Sequence, residues 1–191
     1  MDKKIIVGVG AVLLFALMIV GWFVAIYNGL ITLDNTVEEK WAQVENQYQR
    51  RADLIPNLVN TVKGYAAHEK ELFTEITELR SQWMSARASG DREAEMESAR
   101  KMDSAISRLL LVVENYPDLK ASENFLALQS QLEGTENRIA VERMRYNEAV
   151  REYNIRIRKI PDSFIADMLG YEKKPYFEAE EGTEKVPVVE F

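Results

Sequence analysis

From Ile5 to Tyr27 the chain carries no charged residue, and from Leu30 onward apolar residues recur at steps of three and four with no linker between the two patterns. At 1.5 Å per residue the uncharged run is roughly 34 Å of helix, enough to cross a hydrocarbon core of about 30 Å. Trp22 and Tyr27 lie near its far end, where amphipathic rings favour the interface. A cleaved signal peptide is the alternative. Its apolar region is shorter and ends in a small-x-small site, and no such pattern follows this run. The expected plan is a short flank (1–4), a single membrane span (5–27), a helical bundle (28–169) and an acidic, partly extended tail (170–191). Lys3 and Lys4 precede the span, and Lys40 is the only basic residue in the fifteen that follow it. The positive-inside rule then places the N-terminus inside and the bundle on the extracytoplasmic side of a cell membrane.

Leu30, Leu33, Val37, Trp41, Val44, Tyr48, Arg51, Ile55, Leu58, Val62 and Tyr65 form the stripe of a long amphipathic helix. Arg51 occupies an apolar position in it. Pro56 removes a backbone donor, which predicts a kink over Ala52 to Pro56. A bend follows at Gly64 to Glu69. Leu72, Ile76, Leu79 and Trp83 make the next stripe, up to Ser89-Gly90-Asp91, where Asp91 is placed to cap a further helix. Glu93 and Glu95 suit the dipole of its first turn. Met102, Ile106, Leu109 and Val113 supply its buried face, and Tyr116-Pro117-Asp118 ends it. The last long helix, from Ser122 to Lys159, carries Phe125, Leu128, Leu132, Thr135, Ile139, Glu142, Tyr146, Ala149, Tyr153, Ile157 and Ile160 in a heptad-like, coiled-coil seam. Pro161-Asp162 closes it, a short helix runs to about Met168, and Gly170 ends that. With only five prolines and nine glycines, the expected class is all-α: a membrane helix, then a long antiparallel bundle of four-helix type, then a short extended tail.

Composition and motifs exclude most chemistry. The net charge is −7 with both signs interleaved, which is no footprint for nucleic acid. Cysteine is absent, removing disulfides, thiolate catalysis and cysteine-ligated zinc. The single histidine, His68, has Leu72 where a zinc-protease helix needs its second histidine. No G-x-S-x-G, S-x-x-K, G-x-G-x-x-G or Walker sequence occurs. The reading is a protein without catalytic residues, cofactor or metal.

Three groups remain as candidate contact residues. Gly21, Ala25 and Gly29, four apart, line one face of the span and suit close helix approach within an oligomer. Arg50, Arg51, Asp53, Asn57, Asn137, Arg138, Asn147 and Asn154 form a polar set near the packing seams, read as fixing register between helices or as a partner site. Val189 and Phe191 end the chain in an apolar-x-apolar pattern of the kind that adds as a strand to a receptor.

Several of these segments resemble the LemA family. The carrying residues are 50–59, 62–66 (Val62-Lys63-Gly64-Tyr65-Ala66), 114–121 (Glu114-Asn115-Tyr116-Pro117-Asp118-Leu119-Lys120-Ala121), 135–140, the pairs Tyr146-Asn147 and Tyr153-Asn154, and Tyr176-Phe177-Glu178-Ala179. Glu142 and Met144 stand where that family often has alanine and arginine. The resemblance implies a bacterial single-pass membrane protein with a helical bundle domain and no enzyme activity. The family has no agreed molecular function, and envelope stress, surface exposure and membrane proteases are associations suggested for some relatives. The expected role is a self-associating scaffold of the cell envelope, a homo-oligomer. The alternative is an adaptor binding another envelope protein, such as a membrane protease, through its bundle surface or tail.

Overall fold

The computed structural model describes residues 3–66 and 68–178, and among them every regular element is helical. Helix α1 (Lys3–Lys63) carries the uncharged run and the first amphipathic stripe as one helix. Helices α2 (Lys70–Ser89) and α3 (Arg92–Val113) pack against each other across the short turn at Gly90. Gly90 has φ +73°, and the amides of Gly90 and Asp91 return to the carbonyls of Arg87 and Ala86. This left-handed ending suits glycine, which has no Cβ to clash. Asp91 then caps α3, its Oδ1 accepting from the Ala94 amide at 3.0 Å. A one-turn helix, α4 (Pro117–Lys120), a long α5 (Glu123–Arg156) and α6 (Asp162–Leu169) complete the order.

The chain forms two compact units. One contains residues 1–41 and 145–176; the other contains 42–144 and 177–191. The second is a four-helix arrangement of the later part of α1, α2, α3 and the earlier part of α5. Its core holds Val44, Tyr48, Ile55, Leu58, Trp83, Met102, Leu109, Phe125, Leu132 and Ile139. Tyr48 lies between two other rings, 6.3 Å from Trp83 and stacked on Phe177 at 5.9 Å. In the first unit α1 and α5 run antiparallel, with Trp41 and Tyr146 in ring contact at 5.2 Å. A strap of irregular backbone from Tyr171 lies along α5, fastened by side chains. Tyr146 and Tyr153 donate to the carbonyls of Pro175 and Glu172, and Asn154 exchanges two hydrogen bonds with the backbone of Lys174. Burial raises the Tyr153 phenol to about 12, so it remains a donor at any physiological pH. The Lys174 ammonium reaches Asp34 and Glu38 on α1 at 2.7 and 2.6 Å.

Several expectations need correction. The stripe of α2 enters the core through Phe73, with Leu72 only half-buried. Tyr65 is exposed and Ala66 buried, because α1 ends at Lys63 and its periodicity lapses there. Tyr116-Pro117 starts the short helix α4 as well as ending the previous one, since proline suits a first helical turn. The last long helix stops at Arg156, so Ile157 is buried while Ile160 points to solvent.

Pro56 does not interrupt α1. A proline lacks the amide that would bond the carbonyl four residues earlier, here Ala52, which is fully buried. Arg80 of α2 supplies the missing donor, its Nε lying 2.7 Å from the Ala52 oxygen. An unsatisfied buried carbonyl costs about 1–3 kcal/mol. Arg80→Met should therefore destabilise the protein by about that amount, measured by thermal unfolding in detergent. In a Pro56→Ala background, where a helical amide returns to Ala52, the same substitution should cost clearly less. Equal losses in both backgrounds would show that the arginine does not serve this carbonyl.

Candidate functional site

Arg51 sits where the helical period of α1 demands an apolar residue, and it is only 3% exposed. A guanidinium cannot be neutralised at ordinary pH, so burial requires partners. They come from two other helices. Nη1 pairs with Asp103 of α3 and Nη2 with Glu136 of α5. Asp103 also accepts from Tyr48 Oη at 3.0 Å and faces Arg143 Nη1 at 3.5 Å. The Arg51 guanidinium lies over the Tyr48 ring at 5.6 Å, and that of Arg143 over Phe177 at 4.1 Å. Arg143 donates in addition to the Glu178 carbonyl at 3.0 Å. Burial, with a smaller push from Arg143, lowers Arg51 to about 10, which leaves it charged at neutral pH.

Beside this cluster opens a cavity of about 540 Å³. Ile106, Leu110 and Leu132 form its apolar wall, and Arg51, Asp103, Glu136 and Arg143 its polar one. Its volume lies in the range of small-molecule or side-chain pockets. The buried Nε of Arg51 has no hydrogen-bond partner among the described residues. The arrangement holds fixed charges beside an apolar wall, which suits recognition of an amphipathic group. Among the described residues no group of carboxylates and histidines could hold a metal ion.

Of the polar set expected from the sequence, Arg51 and Asn154 are buried and Asn147 is half-buried. Asn137 lines the cavity but is exposed, as are Arg50, Asp53, Asn57 and Arg138. Arg51 belongs to the bundle cluster, whereas Asn154 fastens the strap of the other unit. Gly21 and Ala25 are exposed, and a Cβ on Gly21 would meet nothing within 4 Å. Gly29 is half-buried, and a Cβ there would stand 3.7 Å from Arg156 Nη2, so it faces its own chain. Val189 and Phe191 lie outside the described residues.

Sequence reasoning missed Asp103, Glu136 and Arg143, and also a second polar group. Glu95 is 2% exposed and hydrogen-bonds Glu45 of α1. Arg87 stacks over Trp83 at 5.5 Å, donates to Gln49 at 2.6 Å and approaches Glu45 at 4.0 Å. Burial, then repulsion from Glu45 and the hydrogen bond with it, raises Glu95 to about 8 against the pull of Arg87 and Arg92. It is therefore protonated at neutral pH and adds no negative charge to the helix dipole, contrary to expectation. A signal existed: four steps back along the stripe of Met102 and Ala99 lies Glu95.

Two outcomes are expected. Arg51→Met leaves Asp103 and Glu136 without their common cation and should cost about 3 kcal/mol, whereas exposed Arg50→Met should change the unfolding midpoint little. For Glu95, the unfolded carboxyl titrates at its ordinary value and the folded one near pH 8. Between these the native state holds the extra proton, so stability falls as pH rises and levels off above about 8. Glu95→Gln should remove that decline and raise the melting temperature most at alkaline pH; an unchanged pH profile would mean that Glu95 does not hold the proton.

Comparison with known proteins places these features in a family. The model of the LemA family matches residues 40–191, which include every residue of the Arg51 and Glu95 clusters. Magnetosome protein MamQ 2 of Paramagnetospirillum magneticum is 27% identical over 175 residues, covering 80% of this chain and 64% of that protein. Magnetosome protein MamQ of Magnetospirillum gryphiswaldense is 25% identical over 174 residues, covering 79% and 64%. Protein LemA of Metamycoplasma hominis is 26% identical over 173 residues, covering 88% and 78%. The chain thus spans less than two thirds of the length of the two magnetosome relatives. With a family match over most of its length and the buried arginine of its bundle inside that match, the chain belongs to the LemA family.

Proposed function

We propose that this protein is a single-pass membrane scaffold of the bacterial envelope, without catalytic activity, that self-associates through its span and displays its helical bundle outside the cytoplasm. The observation that carries this reading is the state of α1. It is long and apolar enough to cross a membrane, and its side chains from Val7 to Ala25 are almost all uncovered by the rest of the chain. A helix that satisfies its own backbone can sit in lipid in that state. No hinge separates this stretch from the folded part of its unit, so neighbouring copies paired in the membrane would hold their folded parts in fixed register. Membership of the LemA family and kinship with magnetosome proteins support a place at a bacterial membrane. Lys3 and Lys4 support the inward N-terminus.

The face used for association would centre on Gly21 and Ala25, since Gly29 is turned to Arg156. Small residues let backbones approach closely enough for dispersion forces to hold helices together in lipid. A second reading, an adaptor that takes an amphipathic group of another envelope protein into the bundle cavity, is favoured by the Arg51 Nε, which has no hydrogen-bond partner among the described residues. One experiment separates the two. The mass of the full chain in mild detergent should correspond to a discrete assembly, which Gly21→Leu or Ala25→Leu reduces to the monomer while Ala16→Leu, on the opposite face, does not. A monodisperse monomer at high concentration would sink the scaffold and leave the adaptor.

A further inference from the structure

We infer that the segment after α5, from Ile157 to Leu169, is a foot that lies in the headgroup region of an anionic membrane, the same membrane that α1 crosses. The inference rests on the reading of α1 as a membrane span. Its first support is register within one unit. Helix α5 runs back along α1 from Tyr146, opposite Trp41, to Arg156, which meets Gly29. Gly29 is two residues beyond Tyr27, the end of the uncharged run. Ile26 and Leu30 are buried, whereas Val7 to Ala25 are exposed apart from half-buried Phe23, so the cover begins at the last turn of the span. After α6 the chain is back beside the end of α5, because the Tyr171 ring stands 6.3 Å from that of Tyr153, one turn before Arg156. Residues 157–171 thus start and finish where the hydrocarbon would end.

The second support is the surface that this segment presents. Ile165 and Ala166 are buried, and buried Asp162 is paired with Arg156. On the opposite side of α6 Phe164 and Met168, four residues apart, are 70% and 65% exposed, and Ile160, in the turn before the helix, is 79% exposed. An apolar row of this size turned to water has no structural use, and at a membrane boundary it has one.

The third support is charge. Arg158 and Lys159 are exposed beside the row. Arg156 is paired with Asp162 and Lys174 with Asp34 and Glu38, and around the row Arg158, Lys159 and Lys173 are exposed beside exposed Asp167 and Glu172, in a chain of net charge −7. A basic rim around an apolar row suits anionic lipid, whereas contacts between copies are depleted of lysine at their centres. Asp167 is exposed at the edge of the row, which keeps the foot shallow, at the level of the headgroups.

The absence of cysteine permits single spin labels on the full chain. Leu14→Cys reports the span, Phe164→Cys and Met168→Cys the foot, and Glu148→Cys, about 12 Å along α5 from Arg156, the water phase. Each is reconstituted in vesicles of phosphatidylcholine with and without phosphatidylglycerol, and its relative accessibility to oxygen and to a water-soluble nickel complex is measured. The expected result is an oxygen preference at 164 and 168 severalfold above that at 148, and larger when phosphatidylglycerol is present. Labels at 164 and 168 that match 148 while 14 lies in the bilayer would overturn the foot and leave the span intact. A label at 14 in water would overturn the span, and the foot with it. Shielding of 164 and 168 from both reagents would mean that protein covers the row, and equal immersion in both vesicles would remove the role given to Arg158 and Lys159.

Discussion

A single helix that is apolar and uncovered along one end and enters a protein core along the other, without a break in its backbone bonding, places a strict condition on every later side chain. In lipid the backbone must bond to itself, and once the helix is set its rotation is inherited turn by turn. From Ile26 onward, each third or fourth residue of α1 is committed to an interior. Arg51 falls on that row, and so does the carbonyl that Pro56 deprives of its donor. Neither can be moved outward without turning Tyr48, Ile55 and Leu58 out of the core. Other helices must therefore answer them, and Asp103, Glu136 and Arg80 do so.

The bundle contains two buried ionisable groups resolved in opposite ways. Arg51 retains its charge because two carboxylates and a tyrosine-held network surround it. Glu95 loses its charge, since burial disfavours the carboxylate, Glu45 beside it is another carboxyl group, and Arg87 is engaged by Gln49 and the Trp83 ring. Both arrangements specify how the helices must align more than they add to stability, because the desolvation of buried charge offsets most of the attraction. The cavity beside Arg51 follows from the same arrangement: fixed polar side chains on one wall prevent the apolar residues on the other from closing over it.

In the unit that contains residues 1–41 and 145–176 polar residues serve a different end. The two Tyr-Asn pairs are seven residues apart, so Tyr146 and Tyr153 occupy one face of α5 and Asn154 lies beside it. Their hydrogen bonds satisfy carbonyls of a strap that has no secondary structure of its own, and Lys174 ties that strap to α1. Tyr171 and α6 follow the end of α5 that meets Gly29, and from there the strap runs back along α5, from Glu172 beside Tyr153 to Pro175 beside Tyr146. A scaffold with an apolar foot at α6 would have its tilt fixed at two points, the span and the foot.

The helical class, the long apolar stretch of α1, most stripe positions and the Asp91 cap were legible in the sequence, because each depends on spacing along one helix or on one residue's local bonding. The oddity of Arg51 on an apolar row was legible too, but its partners were not. Thirty-one acidic residues offered themselves, and only the packing of α3 and α5 on α1 selected Asp103 and Glu136. Five of the eight polar residues that the sequence singled out, among them Arg50 and Asn57, are exposed, since polarity near a stripe does not say which side of it a residue faces. Phe73 replaced Leu72 for a similar reason: both fit an apolar period, and the bend before α2 decided the phase. The sequence by itself determined where helices form and which faces are apolar, because those are properties of one helix at a time. Only the tertiary structure decided which charges meet, which carboxyl keeps its proton and that Arg156 returns to Gly29, because each depends on residues far apart in the chain brought together by packing.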